Sequence, residues 1–260
     1  MGGFEFRWPF PKQNQPHRIW SICSYLVLKL GVIYSKTMLN VFNSVTIHNQ
    51  NILENVLVKI GTKPIITFSN HYSCMDDPVL WGMLPWNKLS PHKIRWALGA
   101  YDILFTTYRH QILFSLGKVI PIVRGDGVYQ RGVDFCIEQI NKNSWIHIFP
   151  EGRVNTEKEY LPFKWGIGRI ISECDIVPIV LPFFHLGMDK ILPNKRPYIP
   201  RIGHKVNVFI GNPINLTDLL NQLKSTKISP VEMRKRITDY LQNEFFQFRR
   251  QIESSLKKEE

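Results

Sequence analysis

The chain has 260 residues, long enough for one α/β domain with a full core and short for two. Its 33 lysines and arginines against 21 aspartates and glutamates leave a formal charge of +12, which calls for an anionic partner. The basic residues are dispersed, with no zinc-finger spacing, RNA-recognition aromatic motif or basic helix ahead of heptads, so nucleic acid gives way to an anionic membrane surface.

At the N-terminus Arg7, Lys12 and Arg18 interleave with Trp8, Phe10 and Trp20, aromatic types that settle at headgroup level. Residues 19–34 form an apolar run containing Lys29. As a helix that run would measure about 24 Å, short of a hydrocarbon core of roughly 30 Å. No small-residue cleavage site follows it, so a signal peptide is disfavoured. The run reads as an interfacial or re-entrant anchor, with a core helix of the domain as the alternative.

Strands are predicted at 45–48, 65–68, 94–98, 119–123, 145–149, 176–181 and 206–210, and a helix at 51–60. Residues 127–141 are helical, with Val133, Ile137 and Ile140 on one face, and 164–174 form another short helix. The stretch 165–186 is apolar enough to touch a bilayer, and the proline-rich 192–200 is a loop. Ser229 followed by Pro230 opens a long helix whose face carries Met233, Ile237, Leu241, Phe245, Phe248 and Ile252. That face predicts packing on the domain, a membrane role being the lesser alternative. Strands separated by helices predict an α/β sheet with helices on both faces. The expected organisation is a membrane-associated segment at 1–40, an α/β domain at 41–215 and a helical segment at 216–260 packed on it.

Four stretches carry chemistry, each at the end of an apolar run. Asn70-His71-Tyr72-Ser73-Cys74-Met75-Asp76 sets a histidine off a strand end with a carboxylate five residues on. The turn can bring Asp76 beneath the imidazole to accept the Nδ1 proton, leaving Nε2 free to act as a base. On spacing alone a capped helix start, with Asp76 in its first turn, explains the same residues equally well. Val123-Arg124-Gly125 and Phe149-Pro150-Glu151-Gly152-Arg153 end two further runs, and 176–182 is a run interrupted twice by proline. Polar groups at strand ends line one rim of a sheet, the usual ligand crevice of α/β folds. A guanidinium fork suits phosphate, and a neighbouring glycine lets backbone approach a ligand. Taken singly, Arg124 and Arg153 read equally well as solvated loop charges.

The four cysteines, Cys23, Cys74, Cys136 and Cys174, form no Cys-x2-Cys pair, against a zinc site or a disulfide scaffold. No metal site is expected. Cys74 inside the first motif is a packing residue in preference to a nucleophile.

In this order the four stretches resemble the motif blocks of the glycerophospholipid acyltransferases, with His71 to Asp76 as the His-x4-Asp block. Trp8-Pro9-Phe10-Pro11, Cys74 to Pro78, Gly125 to Gln130, Phe163 to Arg169 and Leu192-Pro193-Asn194 extend the likeness across most of the chain, to that family's mitochondrial, cardiolipin-remodelling transacylases. The resemblance implies a glycerol-phosphate acyltransferase-like sheet flanked by helices, and a CoA-independent transacylase without cofactor. Its substrates would be cardiolipin, monolysocardiolipin, phosphatidylcholine and other lysophospholipids. The implied site has His71 as base and Asp76 as its orienting carboxylate. Asn70, Arg124, Gly125, Glu151, Gly152 and Arg153 would contact substrate, with Glu151 holding an arginine or the glycerol. The implied place is an interfacial position on mitochondrial inner and outer membranes, facing the intermembrane space. Many acyl-CoA-dependent relatives carry a hydroxyl residue shortly after the Phe-Pro-Glu-Gly turn, where this chain has Arg153-Val154-Asn155. The alternatives are an acyl-CoA-dependent lysophosphatidic acid acyltransferase and, from another class, a non-catalytic anionic-lipid-binding protein.

Overall fold

The computed structural model describes residues 8–11, 18–86, 93–226 and 228–259. In chain order the elements are α1 (Arg18–Asn40), β1 (Ser44–His48), α2 (Gln50–Leu57), β2 (Ile65–Ser69), α3 (Asp76–Leu80), β3 (Trp96–Ala100), α4 (Tyr101–Leu104), α5 (Tyr108–Leu116), β4 (Val119–Ile122), α6 (Arg131–Ile140), β5 (Trp145–Ile148), α7 (Gly166–Glu173), β6 (Ile179–Leu186), α8 (Met188–Ile191), β7 (Lys205–Ile210), α9 (Thr217–Ser225) and α10 (Pro230–Glu259). A single 3₁₀ turn, Trp81–Met83, follows α3.

The seven strands form one sheet in the order β1-β7-β6-β2-β5-β3-β4. β6, β2, β5, β3 and β4 run parallel, whereas β7 runs antiparallel to β6 and carries β1 parallel to itself. The C-terminal ends of five strands therefore share one rim. Central strands covered on both faces are apolar throughout, and β2 is buried at every position. One core cluster joins the sheet to α6, α7, α9 and α10 through Val133, Ile167, Leu220, Ile237 and Phe245. The other joins it to α1, α2, α3 and α8 through Leu28, Leu53, Val79 and Met188. The expected α/β sheet with helices on both faces is what forms.

Three expectations are corrected. α1 extends to Asn40, 23 residues or about 34 Å, so the helix that carries the apolar run is longer than that run and its length alone does not argue against crossing a membrane. Its extra turns come from the half-polar 35–40, whose Ser35 and Asn40 bond to the domain: Ser35 Oγ donates to Pro78 O at 2.6 Å and Asn40 Nδ2 to Gly82 O at 3.1 Å. Phe10 is not at headgroup level but in the core, stacked on Phe135 at 4.8 Å, with Trp8 and Trp20 edge-on to it. Arg7 and Lys12 lie outside the described residues. The stretch 165–186 faces no bilayer along its strand half, because β6 lies between β2 and β7 with six of its eight positions buried.

α1 is two-faced. Leu28, Val32, Ser35 and Leu39 are buried against the domain, while Ile19, Ile22, Leu26 and Leu30 are more than half exposed. Its approach to the turn after α3 is close: a Cβ on Gly82 would lie 2.3 Å from Ser35 O, so no side chain fits there. α10 begins as expected, with Ser229 Oγ accepting from Glu232 N–H at 3.2 Å, and lays Ile237, Leu241, Phe245 and Ile252 on the core.

Candidate active site

β2 ends at Ser69, and the next residue continues the sheet with its side chain. The Asn70 amide donates to His185 O and accepts from His185 N–H, both at 2.9 Å, a rung tying the strand end to β6. Asn70 is therefore committed to the scaffold, which departs from the expected substrate contact. The chain then turns and brings Asp76, fully buried, back beneath His71. Asp76 Oδ2 accepts the Tyr72 N–H at 2.8 Å and the Ser73 N–H at 3.0 Å. It also lies 2.9 Å from His71 Nδ1. An ionised carboxylate only accepts, so the Nδ1 position carries the proton and Nε2 holds a lone pair. Of the alternative reading, Asp76 does lie in the first turn of α3, but His71 does not cap that helix, whose cap position is Met75 with no side-chain cap bond. The imidazole stacks on Phe149 at 4.1 Å and retains 18% of its exposure, its Nε2 without a partner among the described residues.

β5 lies beside β2 and supplies the second half of the site. Its end turns tightly, with Gly152 N–H donating to Phe149 O at 3.1 Å. Gly152 sits at φ 70°, and a Cβ there would come within 2.9 Å of the Lys164 side chain. Glu151 is folded inward, its Oε1 accepting the His71 N–H at 3.3 Å. Burial pushes its carboxyl up to about 7, and its Oε2 is buried without a partner. Glu151 pairs with neither expected arginine. Asn155 donates its N–H to His71 O at 2.6 Å and closes its own loop onto Glu159 through its amide.

Beneath the site runs a buried polar chain. Trp145 Nε1–H donates to Thr67 Oγ1 at 2.8 Å, and Thr67 Oγ1 lies 2.9 Å from His147 Nδ1. His147 Nε2 lies 3.5 Å from Ser69 Oγ, which donates to Asn70 O at 3.0 Å. His185 Nε2 reaches the same carbonyl at 2.9 Å. Burial lowers the pKa of both imidazoles, so the chain is neutral and serves to fix the backbone on which His71 stands. Asn194 braces the outer side, donating to Tyr72 O at 3.1 Å and accepting from Cys74 N–H at 3.3 Å. Cys74 is exposed at the outer side of this turn, and partial desolvation together with the nearby Asp76 carboxylate raises its thiol pKa.

The remaining expected residues stay apart. Arg124 stands at the end of β4, three strands and thus about 14 Å along the rim from β2. It is half exposed and paired with Asp102, Nε to Oδ1 at 3.1 Å. Gly125 beside it adopts φ 90° with open space at its Cβ. Arg153 is exposed, its side chain without hydrogen bond or ion pair among the described residues. No cluster of metal-ligating side chains occurs among the described residues.

Four residues at or beside the site were not expected there: Asn155, His185, Asn194 and Arg249, although Asn155 and Asn194 fall in stretches compared with the family. His185 had a signal, a lone imidazole inside the apolar run of β6. Arg249 had one too, sitting four residues after Phe245 on the apolar stripe of α10. It is buried over the Tyr160 ring at 4.0 Å and donates to Glu159 O at 3.0 Å. Asn155 and Asn194 lie in loops without a periodic signal, where the family likeness names the stretch and not the contact.

The acyltransferase family model matches residues 44–182. Tafazzin of Drosophila melanogaster is 42% identical over 96% of this chain and 67% of its own length. The N-acylphosphatidylethanolamine synthase of Arabidopsis thaliana is 35% identical over 70% of this chain and 66% of its own. The crystal structure of the 1-acyl-sn-glycerophosphate (LPA) acyltransferase PlsC from Thermotoga maritima superposes with a TM-score of 0.56 at 17% identity, covering 91% of this chain and 84% of that one. That likeness concerns the fold. This chain spans about two thirds of the length of those two curated relatives.

Proposed function

Because this chain belongs to the acyltransferase family and, within it, to the tafazzins, we propose that it moves acyl chains from a phospholipid to a lysophospholipid without coenzyme A, remodelling cardiolipin. The observation that carries this reading is the imidazole of His71, held through Nδ1 by a fully buried carboxylate and bare at Nε2. A base so oriented takes the proton from a lysophospholipid hydroxyl as its oxygen attacks the ester carbonyl of the donor. The donor's carbon–oxygen ester bond then breaks, and the same proton passes to the departing glycerol oxygen. Asp76 stabilises the imidazolium between the two steps. One ester replaces another, so the reaction free energy is near zero and no energised cofactor is needed.

Glu151 has a carboxyl that gains a proton near neutrality and an unpartnered Oε2, a combination suited to binding a glycerol hydroxyl. Arg124 and Arg153 are the candidate phosphate clamps, reached by a lipid lying along the rim. The lipid substrates would be cardiolipin, monolysocardiolipin and phosphatidylcholine. The exposed face of α1 supports an interfacial position on a membrane, with mitochondrial membranes facing the intermembrane space as the proposed place.

A second reading follows from the Arabidopsis relative: the same base could deprotonate an amine headgroup, giving an N-acyl product. One experiment separates these. The purified chain is mixed with vesicles of a diacyl donor, with monolysocardiolipin and phosphatidylethanolamine as competing acceptors and coenzyme A absent. Flotation with the vesicles and O-acylation of the lysolipid are expected. No transfer until acyl-CoA is added would sink the transacylase reading, and N-acylation alone would replace it with the second.

A further inference from the structure

We propose that the cavity in the 193–201 loop is a subsite for the phosphodiester of a membrane glycerophospholipid, separate from Arg124 and Arg153. The cavity has a volume of about 250 Å³ and is lined by Pro193, Lys195, Arg196, Pro197, Ile199 and Arg201. None of its three cations makes a side-chain hydrogen bond or ion pair with a described residue. All three cations are exposed at this hollow, so an anion seated there would be attracted by each of them. Two guanidinium forks and an ammonium match a phosphate, whose oxygens accept charged hydrogen bonds from several sides. The prolines restrict the backbone of the rim, so less order has to be gained on binding.

The position of the loop ties this hollow to the chemistry. Leu192 O accepts from Ser73 Oγ at 2.9 Å, and Asn194 bridges Tyr72 O and the Cys74 N–H at 3.1 and 3.3 Å. Both contacts are made to the turn between His71 and Asp76. On its other side the loop is pinned to the end of α1: Gly203 N–H donates to Phe42 O at 2.7 Å and Asn43 Nδ2 to Arg201 O at 3.4 Å. Ile199 and Ile202, both about two-thirds exposed, join exposed Val41 and Phe42 there. A basic hollow flanked by exposed apolar side chains, and bonded to the His71 turn, suits a molecule with a phosphate above an acyl chain. The size fits a headgroup and not a whole lipid.

The inference rests on the phospholipid reading above, and the test keeps the two apart. The full chain is titrated with dihexanoylphosphatidylglycerol below its micellar concentration, with dihexanoylglycerol, which lacks the phosphate, and with inorganic phosphate. In the Arg196→Gln/Arg201→Gln variant, affinity for the phosphodiester lipid should fall at least about tenfold, the effect of losing one charged hydrogen bond. Affinity for dihexanoylglycerol should not change. Arg196→Lys/Arg201→Lys, which keeps the charge, should fall between the two, and Lys195→Gln alone serves if the double variant does not fold. Equal lipid binding by wild type and neutralised variant overturns the subsite. Inorganic phosphate binding as tightly as the lipid would assign the hollow to free phosphate and overturn the headgroup. Acyl transfer is followed in the same samples. Phosphate-dependent lipid binding without any transfer upholds the subsite and sinks the transacylase reading; transfer with an unaltered lysolipid KM in the variant sinks the subsite alone.

Discussion

Two turns on the same rim of the sheet differ in how firmly they are held. The turn after β2 buries Asp76 completely, leaves His71 18% exposed, and fixes both with bonds from β5, β6 and the 192–194 loop. The turn after β4 leaves Arg124 45% exposed, in an ion pair facing water with Asp102 of α4, itself 55% exposed, and its glycines are free of contact. Rigid and numerous supports suit the proposed base, which would have to meet a hydroxyl at a defined angle. For the proposed phosphate clamp the opposite holds, since an exposed pair costs little to open. The contrast teaches that position on the rim does not set rigidity; the number of buried partners does.

Asp76→Asn attacks the rigid turn at its centre. Two backbone N–H groups and the imidazole lose a charged acceptor, and the wrong tautomer of His71 is favoured. Turnover should drop by roughly 10²- to 10⁴-fold, and unfolding in urea should show a loss of about 1–3 kcal/mol. His71→Ala should match it in rate while losing less stability. Near-wild-type turnover in either variant removes the base from the account.

Glu151→Gln sharpens the comparison through pH. The folded state holds the Glu151 proton up to about 7, well above the ordinary carboxyl value near 4.5, so it binds more protons than the unfolded chain between those limits. The stability this group contributes is present at acid pH and lost as pH rises through about 7. Its glutamine variant should show a flatter stability profile between pH 5 and 8 by thermal unfolding. An unchanged slope would mean that Glu151 ionises normally.

Arg124→Gln is expected to do least. An exposed pair contributes about 0–1 kcal/mol, so stability should hardly move. The lysolipid KM should rise several-fold with kcat unchanged, and the difference should shrink at high salt. A fall in kcat instead would place Arg124 with the rigid group and dissolve the contrast.

The sheet was legible because buried parallel strands read as short apolar runs, and the His71–Asp76 contact because both partners share one turn. The supports were not. Asn194 and Arg249 are brought to the site from 118 and 173 residues beyond Asp76, counting along the numbering, by the reversal at β7 and the return of α10. Spacing cannot announce such contacts. Glu151 illustrates a different limit. Its motif places it beside an arginine in sequence, yet the left-handed Gly152 turns the two side chains apart, one inward to the His71 N–H and the other to solvent. The length of α1 was missed because its last turn is polar on the side that bonds to the domain.

α1 has a practical corollary in colloidal terms. Its inner face is held in place by Ser35 and Asn40, so it cannot roll to hide Ile19, Ile22, Leu26 and Leu30 from water. An apolar strip that cannot be withdrawn makes the isolated chain sticky, and copies of it should meet face to face whenever no amphiphile is present. Detergent used to keep such a preparation clear would occupy the same strip that a bilayer would, and would compete with it.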